Sequence, residues 1–501
     1  MTAGSGSQGR EGPESGSGAG ERMSDLEGLM WRLGQHDPRL LSTMSMLILF
    51  DRPLDRDLLL QRFEQVTLRV PRLRCRVRPT ALPSVPPRWE ADPEFSLGRH
   101  VQVVRGVSAP PVGAPLGELV RVAEDVVSCP LSAGQPPWRA VLVPGDADAL
   151  VLHLHHSYTD GLGGVRLLGE LFDLMAVGAG PSRAVGGAGA GGGAAGAGGA
   201  GGGAGGARAG AGAVLEALTD DLQFALRRSA ALARSALPWG VRSVRGASAE
   251  PSGWLDAAFE AGRSARSALA DAAGPASPVL RGRSDGTVLA TLSVPLDSLR
   301  RAGRRLGATV NDVYLAALLE GLARYHEKCA ALPPSLRLAV PMSARPDGED
   351  DLLMQNQLQG ALLRGPLGPL DFDERTRLIH QMVALARRQP WLGMADAAAG
   401  FGLRTPGLVR VIAAGLCSLD VVASNITGPT LPLVLGGAEA QAMVPFGPRS
   451  GSALNATLLS YSGSAHIGLN IDPEAVTDPM ALVDCIGTVL EDQLIQAPAV
   501  T

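Results

Sequence analysis

At 501 residues the chain is too long for one ordinary core, so two domains are the first expectation. Its net charge of −4, with basic residues scattered among acids, leaves no electrostatic footprint for nucleic acid. Cys75, Cys129, Cys329, Cys417 and Cys485 lie far apart with no C-x-x-C pair, which argues against a disulfide framework or zinc site and points to a cytoplasmic setting.

Residues 1–22 are Gly/Ser/Glu-rich, lack the apolar core of a signal peptide and read as a disordered tail. Folding is expected to begin at Ser24, with Glu27 three residues on as a capping box. Met44 to Phe50 reads as a buried strand and Asp55 to Val70 as a helix through Leu58, Leu59, Phe63 and Val66. Strands are expected at 72–77, 88–90, 100–104, 137–143 and 150–155, with a helix at 116–127. Together these make an N-terminal domain over 23–177. Residues 178–213 are almost pure Gly and Ala and read as a linker or insertion.

The connection 214–286 begins with a helix whose leucines are interleaved with Arg227, Arg228 and Arg234. It reads as packed on its own domain with a solvated face, the alternative being an amphipathic helix on a lipid surface. A C-terminal domain is expected over 287–501. Its elements are a strand at 287–296, helices at 299–306 and 310–323, a strand at 335–341, helices at 371–388 and 405–419, and a strand at 421–425. A hairpin over 453–471 and a helix at 479–495 complete it. No stretch outside the Gly/Ala tract is apolar enough to span a membrane, so any membrane contact is expected to be peripheral.

The chemistry concentrates in His155-His156-Ser157-Tyr158-Thr159-Asp160-Gly161, between the apolar run ending at Leu154 and a helical pattern from Leu162. A histidine at a strand end has a pKa near neutrality and an exposed lone pair, as a general base requires. Neighbouring side chains on a strand face opposite ways, so only one of the pair can face a given cleft. His156 is the expected base, His155 a structural neighbour, with His153 further back. Asp160 could pair with a distant Arg or orient His156, and Gly161 lets the turn close. Two adjacent histidines do not easily share one ion, and no metal spacing is present. A G-x-S-x-G elbow and a P-loop Lys are both missing.

These residues, in order, resemble the bacterial wax ester synthase/acyl-CoA:diacylglycerol acyltransferases of the CoA-dependent acyltransferase superfamily. The likeness is carried by Pro137-Trp138, the 155–161 motif, Asn311-Asp312, Val340-Pro341-Met342-Ser343 with Arg345 and Asn356, and Ser424-Asn425-Ile426-Thr427-Gly428-Pro429. The segment from Leu454 to Gly463 continues it. The resemblance implies an α/β fold of two chloramphenicol-acetyltransferase-like sandwich domains with the active site at their interface. It implies His156 as base and Asp160 as organiser. Asn311 and Asp312 come over as a site-supporting, substrate-contacting pair. Ser424 and Asn425 are candidate substrate contacts and oxyanion donors. The implied reaction moves a fatty acyl group from acyl-CoA to diacylglycerol or a long-chain alcohol. Acyl-CoA is a substrate, and no cofactor or metal is expected. Partners would be these lipids, with peripheral contact to a membrane or lipid-inclusion surface. The rival readings are a non-catalytic lipid-binding homologue and a carrier-protein-dependent condensing enzyme.

Overall fold

The computed structural model describes residues 20–82, 84–110, 116–132, 134–174, 218–227, 277–343, 358–388, 399–400 and 407–495. The Gly/Ala tract, most of the 214–239 helix expectation, Arg345 and Asn356 lie outside the described residues.

The first half runs α1 (Asp25–His36), β1 (Thr43–Phe50), α2 (Arg56–Arg69), β2 (Cys75–Arg78), β3 (Arg88–Ala91), α3 (Leu97–His100), β4 (Val101–Val103), α4 (Gly117–Ser128), β5 (Trp138–Val143), β6 (Ala149–His155), α5 (Gly161–Leu171), β7 (Asp173–Leu174) and α6 (residues 218–227). The second half runs β8 (Val288–Pro295), α7 (Leu296–Leu306), α8 (Val310–Lys328), β9 (Ser335–Ser343), β10 (Leu358–Pro366), α9 (Phe372–Arg387), α10 (Leu408–Cys417), β11 (Val421–Thr427), β12 (Leu433–Leu435), β13 (Ala438–Phe446), β14 (Leu454–Tyr461), β15 (Ser464–Ile471) and α11 (Pro479–Leu490).

Helix starts follow the caps. Ser24 and Glu27 form the expected reciprocal box on α1, Asp55 caps α2 and Asp371 caps α9. The strand expected at 72–77 is shorter, because Pro71–Arg74 winds into a 3₁₀ turn that carries Arg72 inward to Glu21 at 2.9 Å and Glu27 at 3.4 Å. Ser462 and Gly463, both at positive φ, close the β14–β15 hairpin.

Two sheets result. One has the order β4-β5-β6-β1-β13-β12-β7, the other β10-β9-β11-β14-β15-β8. Alternation along β6 sends Leu150, Leu152 and Leu154 toward Phe63 and Val66 of α2 and Leu168 of α5, while Ala149 and Val151 pack with Leu119 and Ala123 of α4. The second sheet lays one face on α8 and α11, where Gly321 allows close contact: a Cβ there would stand 2.7 Å from Ile486. A buried leucine in these layers contributes about 1.5–3 kcal/mol relative to staying exposed.

The expected C-terminal unit 287–501 does not stay within the second sheet. β12 and β13, which sequence patterning did not reveal, cross over and extend the first sheet, with β13 antiparallel to β1 from Ser45↔Phe446 to Phe50↔Ala440. This exchange brings the sheets together: a Cβ on Gly468 of β15 would fall inside the Pro445 carbonyl. At the molecule's edge, Arg22 holds α6 through Asp221 at 2.7 Å and lies over the Phe224 ring, yet Leu222 and Leu226 remain exposed.

Candidate active site

The 155–161 segment sits where β6 ends. The His156 N–H donates to the Ser42 carbonyl at 2.7 Å, extending the β6–β1 pairing by one residue. The chain then turns, and Asp160 caps α5: its Oδ1 accepts from the Gly163 N–H at 2.8 Å, and its carbonyl accepts from the Gly164 N–H at 2.8 Å. Asp160 is therefore an organiser of the turn. Gly161 approaches β11 closely: a Cβ would come 2.8 Å from Ile426 Cδ1, so the isoleucine side chain would have to shift. The His-His motif and the Ser424–Pro429 segment thus meet across the two sheets.

A cavity of about 340 Å³ opens at this junction. Its lining comes from both sheets: Met46 and Leu154 with Phe63 and Leu168 of the neighbouring helices on the side of the first sheet, and Ala339, Pro341, Leu362 and Val422 of the second. His156 lines it and His155 does not. His155 is buried against Trp31, ring centroids 4.8 Å apart, with Nδ1 2.8 Å from Ser157 Oγ. Burial pushes the His155 imidazole down to about 3, helped by its neighbour His156. Burial also lowers the His156 pKa, opposed by a hydrogen bond to its own carbonyl and by the charge of Asp160. His156 is therefore neutral at pH 7. A neutral imidazole carries one N–H and one basic lone pair, and the lone pair is what a general base uses.

The remaining expected residues divide. Ser424 lines the cavity together with Val422 and Ile426. Asn425 occupies the alternate face of β11, which carries Val421 and Ala423 into the core of the second sheet. The structure does not bring Asn311 and Asp312 to the cavity. Asp312 forms the capping box of α8, accepting at Oδ2 from the Thr309 N–H at 2.9 Å and from His380 Nδ1–H at 2.8 Å. Its burial serves that helix start. Trp138 does line the cavity, fixed by Nε1–H donating to the Leu73 carbonyl at 2.7 Å. Ser157, Tyr158 and Thr159 turn away from it; the Tyr158 hydroxyl donates to the Cys75 carbonyl at 3.2 Å.

Several polar residues of the cavity wall were not anticipated: Ser42, Ser45, His153 and Thr457. Ser45 Oγ lies 2.7 Å from His153 Nδ1 across the β1–β6 pair, and Thr457 donates to Asn455 Oδ1 at 2.7 Å. The sequence signal for the Ser45–His153 pair was only two polar residues inside apolar strands. Among the described residues no three His, Cys, Asp or Glu side chains gather as a metal site requires.

The family model described as "Wax ester synthase/diacylglycerol acyltransferase catalytic domain" matches residues 23–314, and "WS/DGAT C-terminal domain" matches 355–493. A putative diacylglycerol O-acyltransferase of Mycobacterium tuberculosis is 31% identical over 480 residues, covering 94% of this chain and 92% of the relative. A second from that organism is 28% identical over 441 residues, covering 84% and 85%. Among solved structures, the wax ester synthase/diacylglycerol acyltransferase from Marinobacter aquaeolei VT8 is similar with a TM-score of 0.56 at 18% identity, covering 94% of this chain and 98% of that one. The first condensation domain of the CDA synthetase gives 0.55 at 15%, covering 97% and 98%. Both likenesses concern the fold, the two-domain α/β architecture expected above. With the catalytic-domain match over more than half its length, and with the 31% identical relative, this chain belongs to the wax ester synthase/diacylglycerol acyltransferase family.

Proposed function

We propose that this protein transfers a fatty acyl group from acyl-CoA to the hydroxyl of diacylglycerol or a long-chain alcohol, with His156 as general base. The observation that carries this reading is that His156, and not His155, opens on an apolar cavity between the two sheets. An apolar cavity lined from both sheets, with one neutral imidazole on its wall, suits two chain-bearing substrates meeting at a base.

His156 takes the proton from the acceptor hydroxyl as its oxygen bonds to the thioester carbon. The carbonyl π pair moves onto oxygen, giving a tetrahedral oxyanion. Collapse restores the carbonyl and breaks the C–S bond, and the departing CoA thiolate recovers the proton from the imidazolium. The thiolate leaves readily, so direct transfer needs neither a covalent acyl-enzyme nor a cofactor beyond acyl-CoA itself. General-base work of this kind contributes about 10²–10⁴-fold. Asp160 keeps the turn in place, and its charge favours the imidazolium that forms.

The test is product analysis. Purified protein is incubated with labelled acyl-CoA and either diacylglycerol or hexadecanol, and the lipids are separated by thin-layer chromatography. Labelled triacylglycerol or wax ester is expected. Absence of both, with intact acyl-CoA recovered, contradicts the reading and favours a lipid-binding or carrier-dependent role.

No described helix is long and apolar enough to cross a membrane. The lipid acceptor is instead met at a surface, and the exposed Leu222 and Leu226 of α6 support a peripheral contact there. Flotation with phospholipid vesicles should fall in the Leu222→Ser/Leu226→Ser protein, and unchanged flotation would exclude this face.

A further inference from the structure

Resting on the acyl-transfer reading, we propose that Ser42 supplies the hydroxyl that stabilises the oxyanion. Its place is set by the backbone. Ser42 immediately precedes β1, and its carbonyl accepts the His156 N–H at 2.7 Å, so the two residues are cross-strand neighbours at the mouth of the same cavity. Ser42 is 3% exposed, and its Oγ has no hydrogen-bond partner.

A buried hydroxyl left without a partner costs about 1–3 kcal/mol, so this one needs a use. Seven buried side-chain N or O atoms among the described residues lack a partner: those of Ser42, Trp89, Thr159, Asp312, Arg337, His466 and Asn470. Ser42 alone of these lines the cavity. The other hydroxyls of the wall compare poorly. Ser45 is engaged with His153 and Thr457 with Asn455, while Ser424 and Ser450 are not fully buried. Rotation about the serine Cα–Cβ bond moves Oγ among three staggered positions without disturbing the backbone. A substrate oxygen in the cavity would draw it into the position that faces the reacting carbon.

The chemistry asks for such a group. His156 removes a proton from the attacking hydroxyl, and a separate donor must meet the negative charge gathering on the thioester oxygen. The Ser42 O–H donates to that oxygen while the charge is present and keeps its proton when the carbonyl reforms. Because the bond strengthens only as charge develops, it lowers the barrier more than it tightens substrate binding. Of the two side-chain donors anticipated for this role, Ser424 is only half-buried, and Asn425 lies on the face of β11 that carries Val421 and Ala423 into the core of the second sheet.

The test compares Ser42→Ala, Ser42→Thr and His156→Ala in the full-length protein, measuring kcat and KM for acyl-CoA and resistance to urea. Ser42→Ala should lower kcat about 10²–10³-fold with KM little changed. Its stability should equal or exceed that of the native protein, since an unsatisfied hydroxyl has been removed. Ser42→Thr, which keeps the hydroxyl, should recover most of the loss. A Ser42→Ala protein that keeps native kcat beside an inactive His156→Ala overturns the Ser42 assignment and leaves His156 standing. A fall in kcat that only tracks lost stability, unrescued by threonine, overturns it as well. Native turnover in His156→Ala removes the base, and the role of Ser42 with it.

Discussion

Asp160 and Asp312 are two aspartates in two motifs, and each helps to close a buried helix start. Asp160 accepts from the Gly163 N–H, and Asp312 accepts from the Thr309 N–H and from His380. Asp160 is the cap residue itself and Asp312 the reciprocal acceptor three residues into its helix; both order a helix start, and their surroundings differ. Four residues before Asp160 stands His156, on the cavity wall; the neighbour of Asp312, Asn311, lies away from it. An acid at a helix start thus reports local order, and its distance from the cavity decides whether that order serves a reaction.

Substitution separates the two. Asp160→Ala removes a cap that also positions His156. It should lower kcat about 100-fold, the penalty of misplacing a catalytic group by roughly 1 Å. It should also cost about 1 kcal/mol of stability. Asp312→Ala should cost a similar amount of stability in urea denaturation and leave kcat of the folded protein unchanged. Equal kcat losses in both would erase the distinction.

Crowding at Gly161 sharpens it. Gly161→Val places methyl groups against Ile426, and overpacking of this kind costs about 1–3 kcal/mol. Because Ile426 belongs to the other sheet, kcat should fall in parallel, and Ile426→Ala in the same chain should restore part of both. No rescue would mean that the two motifs are not in register.

A smaller effect concerns the buried histidines other than His156. Burial pushes His153 and His155 down to about 3 and His466 down to about 4. Below pH 6.5 the unfolded chain takes up protons at these sites that the folded protein refuses. Their neutral burial therefore costs nothing above pH 6.5, and stability falls as pH drops toward 4. Each contributes up to about 1.4 kcal/mol per pH unit. His466→Gln should flatten the pH dependence of urea stability by about one such increment between pH 6 and 4. Parallel curves would contradict the assignment.

Much of the fold and the site was legible in the sequence, and the gaps have physical causes. The Ser24–Glu27 capping box marked α1, and 3.6-residue periodicity marked α2 and α8. The two-residue alternation of an extended chain was enough to separate His156 from His155. β13 was missed because its first half, Ala438-Glu439-Ala440-Gln441-Ala442, lacks the branched and aromatic residues of a typical strand, and β12 because Leu433–Leu435 is only three residues long. The sign was Gly436-Gly437, both at positive φ, in the hairpin turn between them. That omission hid the crossover that builds the cavity. Asn425 was misplaced because β11 runs on through Thr427, and alternation along it selects Ser424. Ser42 carries no local signal at all; its role depends on a backbone bond to a residue more than a hundred positions away.

The central claim is tested most directly by the initial rate of ester formation in purified His156→Ala, with folding checked by urea denaturation. The account predicts a loss of about 10²–10⁴-fold in a protein that still unfolds cooperatively. Turnover within about threefold of the native protein, well below the general-base contribution, would contradict it.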